Sequence, residues 1–515
     1  MTSSNDKSTL ARNTVWSVVG YGVQFVTPVI LIPYTVSRVS YAVYGVWVTL
    51  FTLATWVSYF DIGLWGSLTR DVAERQARQD REGLRVLWAT WFTFDVLVGL
   101  ALVLAAALLG PWIVRRYAPG LDPSVAAQVF VGLAAQFVLT PMLRHLMYTL
   151  NGLQRLDLTN LMAIIVTPLW VAGQLAFLES GWGLRGLMLN GLIFAVLQIG
   201  ILIAMIRRQG YPTAFSPLLF SGSELRRLVG FGWKLQAGQF LNQAFRNDRL
   251  LLSQVQADAA RITVYQLGAG IMDRLASAVA VLSSGILSAV SDLAARGDLE
   301  RVRLIFLRGT KYHALAGVGL LGFAALFGRE LMMFWMGRSL EESVVVLRIM
   351  TLGGIATCIG SCGQSVAMAL GRPGWSAVSS AAGLAATVFL YMSLGRGYDS
   401  VFVGLAASVS VGLALIQVVF MIGLRGFLEF RWREYVGNAL LKPAVLAVPL
   451  AGVYAAWSVL APHLPPVETR LSAFLVLAPA FLLSTALGWV MARAFGVVDA
   501  YDLDVLKSPG RRASA

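Results

Sequence analysis

Apolar stretches follow one another almost from end to end of this chain, and nothing else in the sequence limits its fold as strongly. Most run for roughly 18 to 28 residues, and a helix needs ~20 to cross ~30 Å of hydrocarbon. Windows of ~19 residues predict about fourteen spans. They lie near 13–36, 41–66, 86–114, 124–149, 157–178, 184–206, 228–253, 261–290, 305–327, 343–369, 376–395, 400–424, 442–461 and 471–494. Strands of a membrane barrel would be ~10 residues long and alternate polar with apolar; no such alternation occurs. Of the 515 residues, 57% are hydrophobic and 13% charged, about half the usual charged share. Mean hydropathy is +0.69. A soluble fold could not cover so much apolar surface with so few polar groups. The chain is therefore expected to be an all-α polytopic membrane protein. Channels, transporters, flippases and intramembrane enzymes remain as function classes.

The charge balance is lopsided, with 41 basic against 27 acidic side chains and a net +14. If the N-terminus is cytoplasmic, the inward connections and tails hold roughly 25 Lys/Arg and the outward loops about 9. The inward clusters include Arg70/Arg75/Arg78/Arg81/Arg85, Arg207/Arg208/Arg226/Arg227, Arg296/Arg301/Arg303/Arg308 and Arg425/Arg431/Arg433. Both termini are thus predicted cytoplasmic. The excess reads as a topology signal, with no nucleic-acid partner implied. The first apolar stretch is longer than a signal-peptide core and lacks an Ala-x-Ala exit, so no cleavable signal is expected. Cys358 and Cys362 lie four apart on one helix and read as packing residues. His145, His313 and His463 show no ligand spacing, so neither metal nor cofactor is expected.

The sequence resembles itself at an offset of about 220 residues, the mark of an internal repeat. Arg12-Asn13-Thr14-Val15-Trp16 opens the first span, and Arg226-Arg227-Leu228-Val229-Gly230-Phe231-Gly232-Trp233 opens the seventh. The second span exits through Ser67-Leu68-Thr69-Arg70-Asp71, the eighth through Ser288-Ala289-Val290-Ser291-Asp292. The turns after spans four and ten read Leu150-Asn151-Gly152 and Leu370-Gly371-Arg372. An even number of spans separates the copies, so both halves share one orientation. The expected organisation is a six-helix bundle at 1–212, a pseudo-symmetric second bundle at 213–424, and two further helices with a tail at 425–515.

The run Arg12-Asn13-Thr14, Pro28, Ile32-Pro33-Tyr34, then Tyr44-Gly45-Val46-Trp47 and Phe60-Asp61-Ile62-Gly63-Leu64, resembles the Wzx-type polysaccharide (O-antigen) flippases. These belong to the multidrug/oligosaccharidyl-lipid/polysaccharide exporter superfamily. Asn247-Asp248-Arg249-Leu250-Leu251-Leu252 and Val264-Tyr265-Gln266-Leu267 add two further matches, and the resemblance covers roughly residues 8–425. Related lipid II flippases carry arginines on their first two helices, whereas spans 13–36 and 41–66 contain none. An arginine site in the first bundle is therefore not carried over.

Ionisable groups inside hydrocarbon are costly and read by default as facing a cavity or a partner. On span seven, Lys234, Gln239, Asn242, Arg246 and Arg249 fall within an arc of roughly 140° at ~100° per residue. Span eight carries a narrower stripe of Gln266, Gly270, Asp273, Ser277, Ser284 and Ser288, within roughly 60°, and Arg274 beside it. Span one offers Asn13, Ser17, Tyr21, Gln24, Pro28 and Thr35. These faces are expected to line a wet cleft between the bundles. Lys234, Arg246, Arg249 and Arg274 would bind substrate, and Gln24, Gln239, Asn242, Gln266 and Asp273 would form the polar lining. Asp61, Asp95 and Arg144 are candidates for a gate or coupling role, with Arg144 a suggested partner for Asp95. Polar side chains also join transmembrane helices at ~0.6 kcal/mol per contact, which is the plainer use of such residues.

Arginine forks bind phosphate bidentately and stay charged when desolvated. With the resemblance, this points to a flippase for undecaprenyl-pyrophosphate-linked oligosaccharide (an O-antigen, capsule or exopolysaccharide unit), working by alternating access in the bacterial inner membrane. No covalent catalysis is implied. Its partners would be the lipid-linked glycan, the bilayer, and polysaccharide polymerase or assembly proteins. The alternatives are a multidrug-type cation-coupled exporter, which calls for acidic or aromatic pockets instead, and an intramembrane polymerase or ligase. The latter needs carboxylates at the membrane face, and the first outer loop, Ser37-Arg38-Val39-Ser40, has none.

Overall fold

The structure, a computed structural model, describes residues 22, 26–59, 65–118, 121–153, 155–211, 213, 216–230, 236, 240, 258–283, 286–372, 374–393 and 401–499. Among the described residues there are helices and turns and no strands. Ten helices among the described residues are long and apolar enough to cross a membrane. They coincide with ten of the expected spans. Of the other four, 13–36 is described mainly through α1 (Val26–Val39), and 228–253 lies almost wholly outside the described residues. The remaining two differ from expectation in shape. Span 261–290 is α8 (Ala259–Ala280), a 3-10 turn at Val281–Ser283, and a separate helix α9 (Ile286–Ala295). Span 305–327 is α10 (Leu299–Leu326), followed after a 78° bend by a short helix, α11 (Gly328–Met336). The bend falls at Phe327 (φ −91°, ψ 26°), where the backbone leaves the helical region. Large apolar side chains stand exposed along the spans, Leu100 at 65% and Leu108 at 72% among them. A hydrocarbon solvent suits such a surface and water does not.

The chain forms two compact units, Met1–Thr263 and Val264–Ala515. In the first, Ser40 caps α2 (Tyr41–Thr55), which a 3-10 turn prolongs to Tyr59. α3 (Trp65–Ala77) leads to a turn in which Asp80 accepts the Gly83 amide at 2.8 Å and starts α4 (Arg81–Tyr117). Asp122 caps α5 (Pro123–Gly152), with Pro123 at the first helical position, where its missing N–H costs nothing. α6 (Leu156–Glu179) and α7 (Gly183–Arg208) complete the described spans of this unit. Among the described residues its interior shows two apolar cores. One gathers Leu50, Ala54, Val129, Phe130, Leu133 and Leu187. The other gathers Leu87, Trp88, Trp91, Leu146, Leu150 and Ile206. On α4 and α5 the residues between these cores include Asp95 and, at the edge of the second, Arg144 and His145.

In the second unit, α12 (Glu341–Ala369), α13 (Gly374–Ser393) and α14 (Val401–Leu428) pack closely through small residues. A Cβ on Gly353 would lie 2.8 Å from the Ser410 carbonyl oxygen, so only glycine allows this approach. α15 (Trp432–His463) starts ten residues before the expected span. Its stretch Tyr435–Leu441 is a π-helix. Pro443 lacks the N–H that would reach the carbonyl four residues back, and widened turns upstream are one way a helix accommodates this. α16 (Arg470–Ala494) begins with Thr469 and Ser472 capping each other.

Candidate functional site

The sequence-derived site divides sharply in the structure. Gln24, Asp61, Lys234, Gln239, Asn242, Arg246 and Arg249 lie outside the described residues. Gln266, Asp273 and Arg274 are described, all on α8 and all half-buried. Gln266, Gly270 and Arg274 succeed one another at helical four-residue spacing, so they share a face. Arg274 donates from Nη1 to the Gly270 carbonyl at 2.8 Å. A Cβ at Gly270 would stand 2.8 Å from that nitrogen and 3.5 Å from Gln266 Nε2, so the glycine makes room for both side chains. The Gln266 Oε1 is buried and has no hydrogen-bond partner among the described residues. The face thus presents a guanidinium beside an amide oxygen, groups that suit an anion and a hydroxyl respectively. The polar stripe does not run on through residue 288 in one phase, because the helix ends at Ala280. Ser283, just beyond, hydrogen-bonds His313 at 2.7 Å.

Asp95 and Arg144 sit in the first unit, on α4 and α5. The hydrogen-bond partner of Asp95 is His145, one residue along from the Arg144 that the sequence suggested. The imidazole Nδ1 and the carboxylate Oδ2 stand 2.7 Å apart, with side chains 0% and 3% exposed. Arg144 donates from Nη2 to the carbonyl of Ser58 at 3.1 Å, which ties α5 to the end of α2. Arg348 and Arg493, also within expected spans, stand exposed on α12 and α16. Arg348 donates to the Ala325 carbonyl at 2.9 Å.

Three interior groups were missed at the sequence level. His145 is fully buried. Lys311, 7% exposed on α10, holds its ammonium 5.0 Å from the centre of the Tyr312 ring. His313 donates from Nδ1 to the Gly309 carbonyl at 2.7 Å, so its Nε2 accepts from the Ser283 hydroxyl and both ring nitrogens are satisfied. The rule that flagged the arginines applies equally to a lysine or histidine inside a span.

Outside the spans, an ion-pair network joins α3 to the helix at 222–230. Asp71, 7% exposed, accepts from Arg227 at 3.0 Å; Glu224 takes Arg227 at 2.8 Å and Arg75 at 2.5 Å. The Glu224 carboxylate, and then that of Asp71, holds the Arg227 guanidinium above its ordinary range. The second unit contains an apolar cavity of about 310 Å³, walled by Leu315, Gly319 and Phe323 of α10, Leu450 of α15, and Phe481 and Trp489 of α16. No group of His, Cys, Asp and Glu able to hold a metal ion occurs among the described residues.

A family model described as "Polysaccharide biosynthesis protein" matches residues 36–345, more than half of the chain. No curated protein matches the sequence. Among solved structures, the chain is similar to an inward-facing multidrug resistance MATE family transporter of the MOP superfamily. That likeness has a TM-score of 0.68 at 12% identity, over 79% of this chain and 94% of the other. It is also similar to the lipid II flippase MurJ in an inward closed conformation, with a TM-score of 0.66 at 15% identity, over 93% and 99% of the two chains. An outward-facing MATE family transporter gives 0.60 at 14% identity, over 81% and 95%. At these identities the likeness is one of fold.

Proposed function

From this chain's membership in the polysaccharide biosynthesis protein family, we propose that it is a flippase. Its cargo in this reading is an oligosaccharide linked through pyrophosphate to an undecaprenyl chain, carried from the cytoplasmic to the outer leaflet of a bacterial inner membrane. The observation that carries the reading is the extent of the likeness to a lipid II flippase, 93% of this chain against 79% for the first MATE transporter. Transport of this kind needs no covalent chemistry, only a site exposed to the two sides in turn.

Within this reading, the phosphates bind Arg274 together with Lys234, Arg246 and Arg249. The sugars meet amides and hydroxyls such as Gln266, Gln239 and Asn242, with Gln24 and Asp273 completing the lining. Guanidinium is the apt group, since it stays charged out of water and offers paired donors to phosphate. The isoprenoid tail remains in hydrocarbon throughout. Asp61, Asp95 and Arg144 serve gating or coupling, and a polysaccharide polymerase is the fitting recipient of the flipped unit.

Replacing Lys234, Arg246, Arg249 and Arg274 together with glutamine tests the assignment. Surface glycan is expected to disappear while the protein stays in the membrane and lipid-linked units accumulate inside. Wild-type export from that variant would overturn the site. A second reading, export of cationic drugs, draws on the higher TM-score of the MATE match. It predicts instead that the deletion strain becomes drug-sensitive while its lipid-linked glycan pool stays normal.

A further inference from the structure

We propose that the buried Asp95–His145 pair is a proton-binding site that couples translocation to a proton gradient. The coupling half of this statement rests on the flippase reading; the proton-binding half does not.

The pair lies at the crossing of α4 and α5, where a carboxylate and an imidazole share a 2.7 Å contact with almost no exposure. Trp91 packs edge-on against the His145 ring with centroids 5.1 Å apart. Neither His145 Nε2 nor Trp91 Nε1 has a hydrogen-bond partner among the described residues, and both atoms are buried. A purely structural histidine in the same protein looks different, since His313 satisfies both of its ring nitrogens. On another side of Asp95 lies a void of about 10 Å³, lined also by Val57, Phe94, Gly99, Val138 and Pro141. That is close to the smallest space that holds one water molecule.

The charge balance of the pair follows from these contacts. With Asp95 ionised and His145 neutral, Nδ1 carries the ring hydrogen and the pair holds a net charge of −1. One proton taken from solvent, onto Nε2 or onto the carboxyl, brings the pair to zero; its return to the opposite side completes a cycle. Among the described residues the surroundings bring few other charges to bear; α6, packed against α5, carries Asp157, paired with Arg155, and Glu179 at its two ends. On α5 the neighbouring charge is Arg144, whose Nη2 is on the Ser58 carbonyl. α2 and its 3-10 extension contain no charged side chain between residues 41 and 59. On α3, Asp71 and Arg75 belong to the network with Arg227 and Glu224, and Glu74 pairs with Arg78. The charged groups of α7 are Arg185, Arg207 and Arg208, at its two ends. On α4 itself, Arg81, Glu82 and Arg85 stand at one end and Arg115 and Arg116 at the other.

The fold gives this proton somewhere to act. Pro141 lies one turn before His145 inside α5. Its missing N–H leaves the Phe137 carbonyl without the usual helix donor, so α5 bends most easily there. Protonation changes the pull of Asp95 on His145, and Arg144, the preceding residue, passes that change to α2 through Ser58.

Two measurements on the purified full chain test the proposal. The first is proton uptake in detergent, followed with a pH-indicator dye from about pH 8 to about pH 5, the range in which an imidazole changes charge. Wild type should take up one more proton per chain than the double variant Asp95→Asn with His145→Gln. If the double variant does not elute as a single species, His145→Gln and Asp95→Asn are measured singly: each should take up less than wild type, and uptake equal to wild type in both would overturn the proposal. The second uses vesicles holding a lipid-linked glycan. An imposed gradient should shift its distribution by up to about tenfold per pH unit for one proton. Asp95→Asn should lose that response and Asp95→Glu should keep it. Equal proton uptake in wild type and variant, or a gradient that still drives Asp95→Asn, would overturn the proposal. Normal uptake with no glycan movement in any form would count against the cargo while still supporting the proton site.

Discussion

A short side chain at a helix start shows how single residues set local structure here. Asp122 accepts from the Ser124 amide at 2.7 Å, the Ser124 hydroxyl at 2.6 Å and the Val125 amide at 3.3 Å. The hydroxyl, followed by the two amides, holds its carboxyl below the ordinary range. A depressed carboxylate contributes stability above its unfolded pKa and loses it as pH falls through the folded one. Asp122→Ala is therefore expected to speed amide exchange at residues 124–126 at neutral pH. The gap between variant and wild type should close on acidification, as hydrogen-exchange mass spectrometry would report. At this same scale the sequence is unevenly legible. Arginines inside spans stand out, yet the interior partner of Asp95 is a histidine, and Lys311 lies buried on α10. Residue type and position were visible in both cases. Which side of the helix meets a carboxylate on its neighbour was not.

At the level of helices, the spans most legible in the sequence are those with long uninterrupted apolar runs, such as α4 and α14. The illegible features are interruptions. α8 stops at Ala280, α10 turns by 78° at Phe327, and α15 widens into π turns ahead of Pro443. Each break has a local mark, Ser283-Ser284-Gly285 after α8, Gly328 beside Phe327 and Pro443 in α15, but α12 carries glycines and serines without breaking, so the mark alone does not tell a break from a close contact. The contact of α12 with α14 supplies a test of packing. The Ser410 hydroxyl donates to the Ile349 carbonyl at 2.9 Å and accepts the Gly353 amide at 3.0 Å, so it sits within a turn of α12. Gly353→Ala sets a methyl group against the backbone of Ser410, which has nowhere to retreat. A loss of about 1–3 kcal/mol is expected from such overpacking, read as a lower melting temperature in detergent. An unchanged melting point would mean that the two helices are not held at this distance.

For the whole molecule, the distribution of arginine predicts which loops face the cytoplasm. A cysteine at Arg78 should react with an impermeant reagent only after permeabilisation, and one at Glu468 should react in intact cells. Both positions are exposed, and the native Cys358 and Cys362 are fully buried, so background labelling should be small. The reverse pattern would invert the topology, and with it the direction of transport. By itself the sequence determined that this is an all-helical membrane protein, where most of its spans lie, and that basic groups are concentrated on spans seven and eight. Those conclusions rest on the cost of exposing backbone and charge to hydrocarbon, which acts residue by residue and along one dimension. Tertiary structure alone decided that Asp95 meets His145, that Arg144 reaches the Ser58 carbonyl, and that Lys311 is interior. Each depends on the rotation and crossing of helices far apart in the chain, and packing sets these through contacts that no local window contains.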